Sequence, residues 1–166
     1  MPALLKDLLF ADLDIELDAT RRTLERFPDD KADWKPHAKS STLQQLARHV
    51  AELPGLATAI LTTESFDVRA PGWERPNPTT SSEILALFER TANAFRDAAA
   101  DISEQALTES WSLKAGDHVV MAAPRAVMVR RMGLTHLAHH RAQLGVYYRL
   151  LDVPVPGLFG PSADER

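Results

Sequence analysis

Leucines at positions 9, 13, 17 and 24 stand four, four and seven residues apart, which places them on one face of a helix from Ala3 to Phe27. Asp12, Asp14, Glu16 and Asp18 interleave with them, and Pro28 with Asp29 and Asp30 ends the run. A polar stretch containing Trp34-Lys35-Pro36-His37 follows. Ser41-Thr42-Leu43-Gln44 then reads as a capping box, with Ser41 as the cap and Gln44 reaching back. The second helix runs from Thr42 to about Thr63 and turns Leu43, Leu46, Val50, Leu53 and Ile60 inward. Pro54, inside it, removes a backbone donor and predicts a bend or split. Residues 64–79, with Pro71-Gly72, Pro76 and Pro78, read as a loop. Thr80-Ser81-Ser82-Glu83 is a second capping box. It opens a third helix from Ser81 to about Asp101, with Ile84, Leu87, Phe88, Thr91, Phe95 and Ala98 facing in.

From Ser103 to Ala123 the periodicity fades, and a short hairpin around Ala115-Gly116-Asp117 is the one local feature. Pro124 suits the first turn of a fourth helix that continues to about Leu151, with Pro154 beyond its end. The tail from Val153 to Arg166 is rich in Pro and Gly and is expected to lie extended across the surface. Four helices of about 20 residues, without strong strands, predict an all-α four-helix bundle with long connections and an extended C-terminal tail. No repeat, low-complexity segment or linker divides the chain, so residues 1–166 read as one domain.

Composition narrows the chemistry. Of the 166 residues, 45% are hydrophobic and 25% charged, the balance of a globular chain. The net charge of −4 and the pI near 5.8 argue against a sequence-independent nucleic-acid binder, which needs a basic face. No apolar run reaches the roughly 18 residues of a membrane span. Met1 to Leu9 lacks the pattern of a signal peptide, and a cytoplasmic location is expected. There is no cysteine, so any metal must be held by nitrogen and oxygen, and any thiol chemistry needs a thiol from a partner molecule.

The six histidines are 37, 49, 118, 136, 139 and 140. His136 and His140 lie four apart on the fourth helix, about 40° apart around its axis and about 6 Å along it. Their imidazoles therefore point the same way, as a shared metal requires. His49 lies on the inward stripe of the second helix, three after Leu46 and four before Leu53. Two histidines from one helix and one from a facing helix can occupy three corners of a coordination sphere, with a position left open for water or substrate. Neutral imidazole suits zinc, nickel, copper and iron(II). Two alternatives stay open: the histidines are packing groups only, or His139 pairs with His136 in place of His140. His37 and His118 fall in loops and read as surface residues.

Other residues have two readings each. Arg141 and Gln143 either support the ligands or contact a second copy, or simply form a solvated helix face. Glu52, three after His49, either orients that ring or is a surface carboxylate, the reading preferred here. Trp34, Trp73 and Trp111 either line a pocket mouth or pack, and packing is expected for at least one. Met128 and Met132 are read as core residues rather than copper ligands.

The stretch Leu134-Thr-His136-Leu-Ala-His139-His140-Arg141-Ala-Gln143-Leu144 resembles the DinB/YfiT-like family of metal-binding four-helix bundles, which is distinct from the DNA polymerase of similar name. The likeness continues through Tyr148-Arg149-Leu150-Leu151, Val153-Pro154-Val155-Pro156 and Gly160 to Glu165. Leu46-Ala47-Arg48-His49-Val50-Ala51-Glu52-Leu53-Pro54 is similar to the family's first-histidine motif. The resemblance implies that His49, His136 and His140 are the metal ligands, with nickel or zinc as the ion. It also implies a homodimer, and a transferase or isomerase that uses a low-molecular-weight thiol such as bacillithiol or mycothiol; a hydrolase is a further option. The alternative is a non-enzymatic metal-binding or stress-response protein. The motif names no catalytic residue and no substrate.

Overall fold

The computed structural model describes residues 4–72 and 75–165. The first predicted helix is two. Helix α1 (Leu5–Leu9) is followed by a turn and then α2 (Leu13–Leu24). The break has a tertiary cause. The Glu104 carboxylate accepts from the backbone N–H groups of Leu5 and Lys6, at 3.1 and 2.8 Å, and so ties α1 to α5 (Glu104–Thr108). Phe10, in the turn, meets Phe95 edge to face at 6.0 Å. Leu13, Leu17 and Leu24 bury the inner face of α2 as the spacing requires.

Helix α3 (Leu43–Thr62) is the centre of the molecule. Its cap is Thr42, with Gln45 reaching back, one residue later than the Ser41–Gln44 box expected from the sequence. Either reading satisfies one cap; the carbonyl of Trp34, which accepts from Leu43 N at 2.8 Å, fixes the register. The helix passes through Pro54 without splitting. Thr91, on the neighbouring helix α4 (Ser81–Asp101), packs beside Gly55 and donates to the Ala51 carbonyl at 2.7 Å. Helix α4 begins at the capping box of Thr80 and Glu83, as its sequence indicates. Its inner face of Ile84, Leu87, Phe88, Phe95 and Ala98 closes on α3 and α2.

The all-α expectation is corrected by a three-stranded sheet. Strand β1 (Ser65–Asp67) runs parallel to β2 (Ser110–Ala115), which pairs antiparallel with β3 (His118–Pro124). The hairpin turns at Gly116-Asp117, where Gly116 takes φ +64°, a conformation glycine adopts freely. Asp67 secures both neighbours: its carboxylate accepts from Gly116 N at 3.0 Å and Arg69 N at 2.8 Å. These strands show little alternation because their one fully buried side chain is Trp111. Its Nε1 donates to Thr63 Oγ1 at 3.3 Å. The buried Arg125 donates to the carbonyls of Ile60, at 2.6 Å, and Thr63, placing a cation on the C-terminal end of α3.

The fourth predicted helix has three parts: α6 (Arg125–Met128), a π-helical turn (Val129–Thr135) and α7 (His136–Leu150). Gly133 sits in the wide turn against α3; a β-carbon there would come within 2.9 Å of Ala57 Cβ. The tail is not simply extended. Asp164 pairs with Arg149 at 2.7 Å and accepts from Val155 N at 2.8 Å, folding the tail back on α7. That carboxyl is held down at about 2 by the Arg149 guanidinium and the Val155 N–H.

Candidate metal centre

His49 comes from the middle of α3, and His136 and His140 from the first turns of α7. The inward stripe of α3 carries His49 between the buried Leu46 and Leu53. The π-helical turn ends where α7 begins, so it sets the rotation at which His136 and His140 face α3. One nitrogen from each ring lies within 4.8 Å of the others, and all three residues are half-buried. Nε2 of His136 stands 3.4 Å from Nε2 of His49 and 2.8 Å from Nε2 of His140. Tetrahedral zinc ligands with ordinary Zn–N bonds have nitrogens about 3.3 Å apart, close to the His49–His136 separation, so a group of this kind can hold one small divalent ion.

The outer nitrogens assign the protons. Nδ1 of His140 lies 2.7 Å from Oε1 of Gln143, an amide oxygen that can only accept. Its Nδ1 therefore carries the hydrogen and its Nε2 presents a lone pair. Burial pushes the His140 imidazole down from its ordinary value, against the Gln143 hydrogen bond that holds it up. His136 is lowered to about 4, first by burial and then by the neighbouring His140 and His49 rings, while the Met132 carbonyl one turn back opposes the shift. The His140 Nε2 lone pair, 2.8 Å from Nε2 of His136, can accept a hydrogen from that ring or share a cation with it.

Around His49 the partners are charged. Glu52 lies 4.0 Å from its Nδ1, and the Glu52 side chain is only 17% exposed. The preferred surface reading of Glu52 is thus corrected, because Arg75 folds over it from the proline-rich loop. Arg75 donates through Nε and Nη2, at 2.9 and 2.7 Å, to Glu52 and also stands 3.2 Å from Nδ1 of His49. Burial pushes the Glu52 carboxyl up, but His49, Arg75 and Arg48 outweigh it and hold it below its usual range.

Two cavities meet here. One, of about 580 Å³, is polar, with Ser40, Ser41, Gln45, Arg48, Gln143 and Tyr147 in its wall beside His49 and His140. The other, of about 600 Å³, is mainly apolar and adjoins His49 on its other side. His49 and Arg75 line both.

The remaining sequence candidates separate. His139 is exposed and outside the cluster, as are His37 and His118. Arg141 neither supports the ligands nor covers a solvated face. It is 3% exposed and bonds Glu16 at 2.6 Å and the Glu16 carbonyl at 2.9 Å, joining α7 to α2. Trp111 is core, and the half-buried Trp34 meets Tyr147 edge to face at 5.6 Å. Trp73 lies outside the described residues. Met128 is buried, while the half-buried Met132 lines the apolar cavity. Arg48, Arg75 and Tyr147 were missed. Tyr147 follows His140 by seven residues, two turns along the same face, a spacing that could have shown it. Arg75 comes from a loop that carries no periodic signal.

Comparison with known families places this geometry. The sequence model of the DinB superfamily matches residues 12–144, a span that includes all three histidines. The chain belongs to the DinB superfamily. Among similar sequences is an uncharacterized protein, YrdA, of Bacillus subtilis strain 168. It is 26% identical over 160 residues, covering 92% of this chain and 86% of YrdA. A DinB-like protein from Bacillus cereus ATCC 10987, known from its crystal structure, shares the fold. Its TM-score is 0.69 at 20% identity, over 90% of this chain and 94% of that one. The small sheet beside the helices is thus part of this DinB-like chain, and no helix among its described residues is long and apolar enough to cross a membrane.

Proposed function

We propose that this DinB-superfamily protein holds one divalent transition ion, nickel or zinc, on His49, His136 and His140, and uses it to transfer a low-molecular-weight thiol to an electrophile. The observation that carries the reading is the convergence of three imidazole nitrogens within 4.8 Å where a polar and an apolar cavity meet. Such an ion would act as a Lewis acid and lower the pKa of a thiol or water that it takes up. The chain supplies the rest. Gln143 holds the His140 ring with Nε2 inward, while at His49 the Arg75 guanidinium stands 3.2 Å from Nδ1 and is itself held by Glu52. Ser40, Ser41, Gln45 and Arg48 offer hydroxyl, amide and guanidinium partners to a polar thiol, and the apolar cavity shields its electrophile from water. With no cysteine of its own, the protein needs the thiol from solution.

A homodimer belongs to the same reading. It is supported by exposed apolar side chains on and beside α1, Leu4, Leu5 and Leu8, and by Phe159, 87% exposed in the tail. Light scattering at the mass of two chains is expected.

The test begins with untagged protein and elemental analysis. Near-stoichiometric nickel or zinc in the wild type, lost in His49→Ala and in His140→Ala, is expected. Thiol-dependent consumption of an electrophile, abolished by His136→Ala, then supports transfer. Stoichiometric metal without turnover on any thiol and electrophile pair would favour the non-enzymatic metal-binding reading. Failure to take up either ion would leave the histidines as packing groups.

A further inference from the structure

We propose that the apolar cavity beside His49 is a subsite for a small organic acid, with a hydrocarbon body in the cavity and a carboxylate on Arg90. Its role as the electrophile's subsite rests on the metal-centre reading, but its occupancy does not. The cavity, about 600 Å³, is of the size that takes a small ligand. Leu53, Leu56, Phe66, Leu87, Leu113 and Met132 wall it with apolar surface from α3, β1, α4, β2 and the π-helical turn. Water fills such a surface poorly, and a hydrocarbon body of matching size displaces it favourably.

The polar groups in the wall sort by what already occupies them. Thr91 donates to the carbonyls of Ala51 and Phe88, at 2.7 and 2.9 Å. Glu52 and Arg75 satisfy one another, and the three histidines face each other. Arg90, exposed on α4, has no hydrogen-bond or ion-pair partner among the described residues. A guanidinium always carries its charge and offers a planar fork that fits a carboxylate with two hydrogen bonds. An apolar cavity with one uncommitted cation in its wall selects a ligand that is apolar along its length and anionic at one end. A neutral apolar molecule would forgo the guanidinium, and a highly polar one would be desolvated without partners.

The experiment compares 4-phenylbutyrate with its uncharged amide, 4-phenylbutanamide, by isothermal titration calorimetry at pH 8. Each is titrated into chelator-stripped and nickel-loaded whole protein. In the stripped protein the acid is expected to bind at least tenfold more tightly than the amide. Arg90→Gln should bring the two within about twofold of each other. Leu56→Trp, which fills the cavity, should remove both while its circular dichroism spectrum stays native; if it unfolds, localisation of the amide-shift perturbations around Leu56 and Leu113 in wild-type protein serves in its place. Equal binding of acid and amide, no binding of either, or an acid preference that survives Arg90→Gln would overturn the inference. Acid binding in a protein that takes up no metal would sink the metal reading and leave this one standing; nickel uptake without acid binding would do the reverse.

Discussion

The amide oxygen of Gln143 stands 2.7 Å from Nδ1 of His140, on the side of the ring opposite the cluster. That contact fixes the ring's tautomer and its rotation together. Gln143 is exposed, so removing its amide should cost the fold less than about 0.5 kcal/mol. Gln143→Ala is expected to weaken nickel or zinc binding about 10- to 100-fold with unchanged thermal stability of the metal-free protein. Competition against a chromogenic chelator measures it. An affinity equal to wild type would show that the His140 ring holds its orientation without the amide.

Metal added to the wild type should raise its melting temperature. A ligand that binds only the folded state at 100 times its Kd stabilises it by about 2.7 kcal/mol. The increment should vanish in His49→Ala, His136→Ala and His140→Ala, and persist in His139→Ala, whose ring lies outside the cluster. Differential scanning calorimetry with and without nickel distinguishes these cases.

Acid should destabilise the metal-free protein. His136 is held at about 4 by burial and by its imidazole neighbours, His140 and His49, whereas an unfolded histidine titrates near 6.5. Between these values the unfolded chain binds a proton that the folded chain refuses. Stability is therefore complete above about 6.5 and falls as the pH drops towards 4. The His140 ring is lowered too and acts in the same direction. Urea midpoints at pH 7.5, 6.5, 5.5 and 4.5 should decline, and His136→Gln should flatten the decline. A flat profile in the wild type would contradict the assignment.

The guanidinium of Arg141 bonds both the side chain and the backbone of Glu16. Truncating one member of a buried pair leaves the other charge uncompensated and costs about 3–5 kcal/mol. Arg141→Met should lower the urea midpoint sharply, and adding Glu16→Leu should recover much of the loss. The protein that remains folded at low temperature should still bind metal in full, which would separate Arg141 from the histidine cluster beside it.

Gly133→Ala should cost about 1–3 kcal/mol by overpacking, because its new carbon meets Ala57 at 2.9 Å. Ala57→Gly in the same chain should return part of that stability. A neutral Gly133→Ala, measured by urea denaturation, would mean that the π-helical turn shifts away from α3 at little cost.

Helices α3 and α4 were legible because each buries one continuous stripe and begins at a capping box, both of them local patterns. The four-residue spacing of His136 and His140 was legible for the same reason, since helical geometry alone puts both rings on one face. His49 was legible from its place on an inward stripe, and the family resemblance chose His140 over His139. Less local features were not readable. The β2–β3 hairpin was legible from its turn residues, Ala115-Gly116-Asp117, but strand β1 is three residues long and shows no alternation, so its pairing with β2 was not. Arg141 follows His140 directly in sequence, yet its partner Glu16 is 125 residues away.

The sequence by itself determined the helix-forming stretches, the lack of any thiol and the shared helical face of His136 and His140, because periodicity and composition are properties of short segments. Tertiary structure alone decided that His49 meets His136 across 3.4 Å, that Arg75 folds over Glu52, and that a polar and an apolar cavity adjoin at His49. Those relations depend on how α3 and α7 pack and where the proline-rich loop returns, and no spacing along one segment encodes the distance between two.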